Sequence, residues 1–111
     1  MDTVTAVRCF QAIGQAHRLQ MFQQLARAGD QGLTAGVIAE NLDLAPSQVS
    51  FHLKELEASG LCFFEREGRF MRYRIEPSAV RDLLEFLLAD CCQGRKDLCS
   101  PFLSRVNTSH C

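Results

Sequence analysis

Three cysteines lie close together near the C-terminal end of the chain, at Cys91, Cys92 and Cys99. Adjacent side chains on a helix point about 100° apart, so Cys91 and Cys92 cannot surround an ion by themselves. Gly94 allows the chain to turn back, and Cys99 can then close a three-sulfur site. Three thiolates without a fourth strong ligand suit a pyramidal centre such as trivalent arsenic or antimony, whereas zinc normally takes four ligands. Soft thiolates also select copper(I).

Other interpretations of these cysteines stay open. Free cysteine is often a small buried hydrophobic residue, so Cys91 could belong to a packed helix face and Cys92 could be incidental. A bridge from Cys91 or Cys92 to Cys99 or Cys9 would instead make the chain a redox or persulfide sensor. A thiol enzyme is disfavoured, because the sequence has neither a Cys-x-x-Cys motif nor a cysteine and histidine arranged for catalysis.

The composition predicts one globular domain in the cytoplasm. The chain has 111 residues, of which 47% are hydrophobic and 23% are charged. No apolar run approaches the roughly 20 residues that span a bilayer, and the residues after Met1 do not resemble a secretory signal, so we expect no membrane partner. Six cysteines in a reducing compartment favour thiol or metal chemistry over a disulfide scaffold. With a net charge of −1, any nucleic-acid binding must come from a local basic patch.

Helical spacing and capping residues predict three helices in the first part of the chain. Thr3 is a favourable N-cap for the first, which Gly14 interrupts. The second ends at 29–32, where two glycines occur, and Thr34 caps a third helix from Ala35 to Leu42. Apolar residues recur at helical spacing in the first helix (Ala6, Phe10 and Ile13) and form one stripe in the second (Leu19, Phe22, Leu25 and Ala26), and Val37, Ile38 and Leu42 are predicted to face inward in the third.

A fourth helix follows a three-residue turn and is predicted from Pro46 to Ser59, with Gly60 after it. Two helices joined in this way are typical of a helix-turn-helix. Its core face is predicted to comprise Val49, Leu53 and Leu56. Its outer side offers hydroxyls, an amide and an aromatic ring, groups that read base edges in the major groove. The predicted DNA contacts on this helix are Ser47, Gln48, Ser50, Phe51 and Lys54. The alternative is an ordinary solvated helix face.

A β-hairpin is predicted next, with strands Leu61–Arg66 and Phe70–Ile75 around a turn at Glu67–Arg69. It carries four arginines, which suit contacts with phosphates or the minor groove: Arg66, Arg69, Arg72 and Arg74. The alternative is a charged edge that discourages strand aggregation. A hairpin placed after the fourth helix makes the pattern that of a winged helix-turn-helix.

The last helix is predicted to begin at Pro77 and to end at Gly94. Its apolar stripe is wider than a short domain needs and consists of Val80, Leu83, Leu84, Leu87, Leu88 and Cys91. We therefore expect a homodimer interface that includes Phe10, Ile13, Leu84 and Leu88, although both stripes could instead pack within one domain. Residues 1–99 are predicted to form the DNA-binding and dimerisation domain, and residues 100–111 a flexible tail.

Most of the chain resembles the ArsR/SmtB family of bacterial metalloregulators. The resemblance rests on segments Ala12–Leu19, Pro46–Leu56, Ala58–Leu61, Arg66–Arg69 and Tyr73–Ile75. It implies a mainly α fold with a β-hairpin wing (α+β) and a homodimer through the first and last helices. Phe51 replaces the polar residue usual in the family, and Ala45 replaces the usual serine N-cap. Cys91, Cys92 and Cys99 look like the ligand set of arsenic-sensing members that carry a cysteine pair and a nearby cysteine after the last helix.

The function predicted from the sequence is therefore a repressor and not an enzyme, without a catalytic cofactor. Its expected partners are double-stranded operator DNA with an imperfect inverted repeat and a second copy of the chain. Trivalent arsenic is the expected inducer, which releases the operator when the three cysteines bind it. The alternatives are a redox or persulfide sensor and a zinc or cadmium sensor of the same fold.

Overall fold

Five helices and a small antiparallel sheet form the part of the chain that the computed structural model describes, residues 1–89 and Asp97. The elements are α1 (Thr3–Ile13), α2 (Ala16–Ala28), β1 (Leu33–Thr34), α3 (Ala35–Leu42), α4 (Pro46–Ala58), β2 (Cys62–Glu67), β3 (Phe70–Ile75) and α5 (Pro77–Leu88). A 3₁₀ turn at Gly29–Gln31 joins α2 to β1. This arrangement confirms the predicted winged helix-turn-helix. The cysteines at 91, 92 and 99 and the predicted tail lie outside the described residues.

The predicted helix starts are close to those observed. Thr34 caps α3, because its hydroxyl accepts a hydrogen bond from the amide of Val37 at 3.4 Å. The prediction of Thr3 as the N-cap of α1 is wrong. Asp2 takes that position and accepts from the amide of Thr5 at 2.8 Å, so Thr3 becomes the first helical residue. A carboxylate at a helix N-terminus also interacts favourably with the helix dipole.

The larger core cluster lies between α2, α3, α4 and the sheet. Its buried members are Ala12, Met21, Leu25, Ile38, Ala39, Val49, Leu53, Leu56, Cys62 and Tyr73. In α2 the inward residues are Met21 and Leu25, four apart and both fully buried. Leu19 is 42% exposed, because two helical steps turn it away from Met21, and Val37 of α3 is 40% exposed. The predicted stripe of α2 is thus wrong at Leu19 and at Ala26, which is also exposed, and the prediction that Val37 faces inward is wrong.

A second, smaller cluster joins α1 to α5 and consists of Ala6, Cys9, Leu61 and Leu83. The small side chains of Ala6 and Cys9 let α1 approach its neighbours closely. Ile13 packs against both clusters and so links them. Helices α1 and α5 are therefore held on the helix-turn-helix by a thin layer of apolar contacts.

The sheet has the strand order β1-β3-β2, with every neighbouring pair antiparallel. In the hairpin Glu67 pairs with Phe70, so the turn consists of Gly68 and Arg69 alone, and Gly68 adopts a positive φ of 62°. Tyr73 of β3 faces the core and is buried, whereas Phe70 on the opposite face is 63% exposed. This alternation confirms the predicted hairpin. Strand β1 was not predicted, since two residues are too few to show a period.

Candidate DNA-binding site

Helix α4 presents a polar outer face whose position is fixed by its buried face. Val49, Leu53 and Leu56 have no exposed surface and pack into the larger core. All of the predicted base-contacting residues on α4 are exposed, namely Ser47, Gln48, Ser50, Phe51 and Lys54. Phe51 is 59% exposed, and an exposed aromatic side chain among polar groups can serve a contact surface. The structure thus presents these side chains together to solvent, and their contact with DNA stays a prediction.

The start of α4 is held by Gln48 in place of an N-cap side chain. Ala45 occupies the N-cap position and has no side-chain acceptor to offer. The Gln48 side chain reaches back, and its Oε1 accepts from the Ala45 amide at 3.3 Å. This is half of a capping box. The same contact orients the Gln48 amide and leaves its NH₂ group as a donor.

The wing arginines fall into two pairs. Arg66 and Arg69 are exposed, and Arg69 lies in the turn at the tip of the hairpin. Within residues 1–89 the structure gives neither guanidinium an ion-pair partner. These two side chains are therefore available to phosphates or to a groove.

Arg72 and Arg74 are instead bonded to other residues of the same chain. Arg72 donates to Glu67 Oε1 at 2.9 Å and to the carbonyl oxygen of Gln31 at 3.1 Å. Arg74 donates to Glu65 Oε1 at 2.7 Å and to the carbonyl oxygen of Asp30 at 2.8 Å. The bonds to the two carbonyl oxygens run from β3 to the 3₁₀ turn that follows α2, so they attach the wing to the end of that helix. A DNA contact by either arginine stays a prediction that requires it to exchange such partners.

A cluster beside α4 was not anticipated as part of the site. Arg18 of α2 donates to the carbonyl oxygens of Gln11 and Ala12 at the end of α1, and its Nη1 lies 3.2 Å from His52 Nδ1 on α4. The His52 ring also contacts His17, with the centroids 5.5 Å apart. The sequence contained one signal for this arrangement. A basic residue that follows a helix end marked by Gly14 often bonds the last carbonyls of that helix.

Apolar side chains remain exposed on α1 and α5, the two helices of the smaller cluster. They are Val4, Val7, Phe10, Leu84, Phe86 and Leu87. Of the predicted interface residues, Phe10 is 37% and Leu84 is 41% exposed, whereas Ile13 and Leu88 are half-buried. Ile13 already packs within its own chain. Phe10 and Leu84 are thus open to a partner, and Val7 and Leu87 extend the same surfaces.

The two described cysteines are buried and hold their protons. Cys9 donates from its thiol to the carbonyl oxygen of Ser59 at 3.5 Å, and burial raises its pKa. Burial, with a smaller effect of Glu57, raises the pKa of Cys62 to about 12. Since the thiolate is the ligand and the nucleophile, neither residue suits ion binding or disulfide exchange. Within residues 1–89 and Asp97, no three His, Cys, Asp or Glu side chains group as a metal site, and no helix is long and apolar enough to cross a membrane.

Comparison with known proteins finds a helix-turn-helix domain and regulators of transcription. A family model described as a helix-turn-helix domain matches residues 13–61. The transcriptional repressor SdpR of Bacillus subtilis is 29% identical over 89 residues, which cover 80% of this chain and 96% of SdpR. The transcriptional activator HlyU of Vibrio cholerae is 28% identical in its solved structure, with a TM-score of 0.64, and the match covers 83% of this chain and 99% of HlyU.

A third similar structure comes from Mycobacterium bovis and is described as the homodimeric winged helix-turn-helix DNA-binding domain of a possible ArsR-family transcriptional regulator. It is 26% identical, has a TM-score of 0.64, and the match covers 80% of this chain and 82% of that one. These relatives are regulators of transcription, not enzymes. The helix-turn-helix match, the wing and the relatives together indicate a DNA-binding transcriptional regulator that is similar to regulators described as members of the ArsR family.

Proposed function

We propose that the protein is a homodimeric repressor that binds an imperfect inverted repeat and releases it when trivalent arsenic binds Cys91, Cys92 and Cys99. The observation that carries the DNA-binding part is the geometry of α4, which buries one face completely and exposes the groups suited to base edges on the other. Repression requires no more than occupancy of the operator.

The exposed apolar surfaces of α1 and α5 support the dimer. Phe10 and Leu84 belong to helices that share the smaller core cluster. A second copy that covers them would bury more apolar surface beside that cluster. The related domain from Mycobacterium bovis is a homodimer. In a two-fold dimer of this kind the two α4 helices would enter successive major grooves about 34 Å apart.

The donor chemistry supports arsenic as the signal. Cys91, Cys92 and Cys99 offer three soft thiolates within nine residues of sequence. Cys9 and Cys62 are buried and are therefore poor candidates for arsenic ligands. The three cysteines follow α5 in the chain, so a ligand there acts on the helix that packs against α1. Coupling is reciprocal, and bound operator must weaken arsenic binding by the same factor by which arsenic weakens operator binding.

A titration of the purified, reduced protein tests this function. A duplex selected by the protein from a random-sequence pool serves as operator, and fluorescence anisotropy follows its release as arsenite or zinc is added. We expect arsenite to release the duplex from the native protein and from Cys111→Ser, but not from Cys99→Ser, which should still bind DNA. Serine replaces a soft thiolate with a hard hydroxyl at nearly the same size.

Other outcomes of the same titration identify the alternatives. Release by peroxide or polysulfide without a metal would replace arsenic sensing with redox or persulfide sensing. Release by zinc or cadmium, with the absorption of a tetrahedral thiolate centre, would make the signal a divalent metal. A Cys99→Ser protein that left the operator at the arsenite concentration effective for the native protein would rule out the three-thiolate site.

A further inference from the structure

We propose that Arg18 is a positioning residue for DNA recognition, which through His52 fixes the DNA-reading helix α4 against the end of α1. The inference rests on the proposed function, in which α4 reads the operator and α1 lies in the dimer. Its structural basis is a single guanidinium that bonds to both helices while it belongs to neither.

The α1 side of this link is an unsatisfied helix end. Gly14 ends α1, and the last carbonyl groups of a helix have no partner within it. The guanidinium of Arg18 donates to two of these carbonyls, those of Gln11 and Ala12. The partial negative charge at a helix C-terminus favours a cation at this position. Arg18 itself is held in place, because its amide donates to Gln15 Oε1 at 2.9 Å.

The α4 side of the link requires a neutral His52. Arginine has donors only, so His52 Nδ1 must accept the hydrogen bond from Arg18 Nη1, and the ring proton lies on Nε2. Burial, followed by the positive charge of Arg18 and by His17, lowers the pKa of His52, whereas Glu55 acts in the opposite direction. The ring is therefore uncharged at neutral pH, as the bond requires.

His52 also contacts Phe51, the residue beside it on α4. The rings of Phe51 and His52 meet edge to face, with centroids 5.4 Å apart and an interplanar angle of 70°. The His52 ring also contacts the ring of His17, with the centroids 5.5 Å apart. A large exposed aromatic side chain in the middle of the reading face thus has one defined neighbour. That neighbour is held by Arg18, so the link supports the DNA-facing surface and not just the core.

Helix α1 reaches the far end of α4 by a separate contact. The thiol of Cys9 donates to the carbonyl oxygen of Ser59, the C-cap residue of α4. Between them, the Cys9 contact and the Arg18 link attach α1 to α4 at two points, His52 and Ser59, that are seven residues apart. A shift of α1 at the dimer surface must therefore displace α4 or break one of these bonds, and the charged bond through Arg18 is the stronger of the two.

The test compares binding of the full chain to the selected duplex and to a scrambled duplex of equal length. Arg18→Gln and His52→Leu should each reduce the preference for the selected duplex about tenfold. Their double variant should lose no more than either single variant, because both remove the same link. His52→Asn keeps an acceptor at the position of Nδ1 and should retain most of the preference.

Two further readouts separate positioning from other roles. Neither Arg18 nor His52 is proposed to touch phosphate, so the slope of affinity against salt concentration should stay that of the native protein in every variant. Sedimentation should show an unchanged dimer. If Arg18→Gln does not fold, the comparison of His52→Leu with His52→Asn decides the matter alone.

Different results would contradict the role of Arg18 and the proposed function. Equal preference in His52→Leu and the native protein, or additive losses in the double variant, would overturn the role of Arg18. A salt slope reduced by about one in Arg18→Gln would make Arg18 a direct phosphate contact instead. Failure of the native protein to select any sequence from the random pool would contradict the proposed function itself.

Discussion

Gly32 lies directly against the main chain of Tyr73, so closely that a Cβ on Gly32 would stand 2.4 Å from the Tyr73 carbonyl oxygen. Gly32 also adopts a φ of 62°, in the left-handed region that favours glycine. The close approach occurs where β1 begins beside β3 and where Arg72 and Arg74 bond to the 3₁₀ turn. One glycine thus permits the junction between the helix-turn-helix and the wing.

Replacement of this glycine should destabilise the fold. Gly32→Ala introduces the contact with Tyr73 and a left-handed backbone at a residue with a Cβ, which alone costs about 1–2 kcal/mol. Gly36→Ala is the matched control, because Gly36 lies in α3 with no atom near its missing Cβ and should gain about 0.5–1 kcal/mol. Urea unfolding measures both. Equal stabilities of the two variants would contradict the close approach.

The two pairs of wing arginines should differ in their response to salt. Arg69→Ala removes a free guanidinium at the hairpin tip, and its slope of log affinity against log salt should fall by about 0.9 for each phosphate that the side chain neutralises. Arg72→Ala removes bonds to Glu67 and Gln31 and should weaken DNA binding at an unchanged slope. Anisotropy titrations at several salt concentrations distinguish the two effects. A reduced slope for Arg72→Ala would show that it contacts phosphate directly.

A charge on the exposed face of α5 should dissociate the dimer. Leu84→Glu places a carboxylate where we expect the partner subunit, and a buried unpaired charge is strongly unfavourable. Val37→Glu makes the same change at an equally exposed residue of α3 and should leave the dimer intact. Sedimentation velocity separates the two species. Dimers of equal affinity for both variants would move the interface away from α5.

The buried thiols should resist alkylation in the folded protein. Burial raises the pKa of Cys9 and raises that of Cys62 to about 12, so the reactive thiolate is scarce at neutral pH and access is blocked. Peptide mapping after brief iodoacetamide treatment should find both unmodified, and treatment in urea should modify both. Rapid labelling of Cys9 in the native protein would return it to the candidates for a redox pair.

Acid should weaken the fold through His52. Its pKa is lowered in the folded state, first by burial and then by Arg18 and His17, against a smaller opposite effect of Glu55. As the pH falls, His52 is therefore protonated in the unfolded chain before it is protonated in the folded chain. The free energy of unfolding falls as the pH drops below the usual histidine pKa of about 6.5. His52→Asn should show a smaller loss of unfolding free energy between about pH 7.5 and about pH 5.5. An identical loss in both proteins would show that the His52 pKa is not lowered.

Sequence patterns predicted those features that depend on one element at a time. The period of α4 identified Val49 and Leu53 as core residues, and the turn residues at Glu67–Arg69 located the hairpin. The features that were missed depend on how elements pack. The exposure of Leu19 depends on which face of α2 packs into the core, and the bond of Arg18 to His52 joins residues 34 positions apart. The pairing of Arg74 with Glu65 likewise needs the hairpin register before it can be recognised.

The larger and the smaller core cluster hold elements that differ in the free energy of local unfolding. The free energy of a local opening grows with the apolar contacts that it breaks, and α1 and α5 share a cluster of only four buried residues in the described chain. Their amides should exchange with solvent deuterium sooner than those of α4, which has three fully buried side chains in the larger cluster. The helices that we propose to contact a partner subunit and a signal are thus those whose local opening breaks the fewest apolar contacts, and in α1 the bonds of Cys9 and Arg18 oppose that opening.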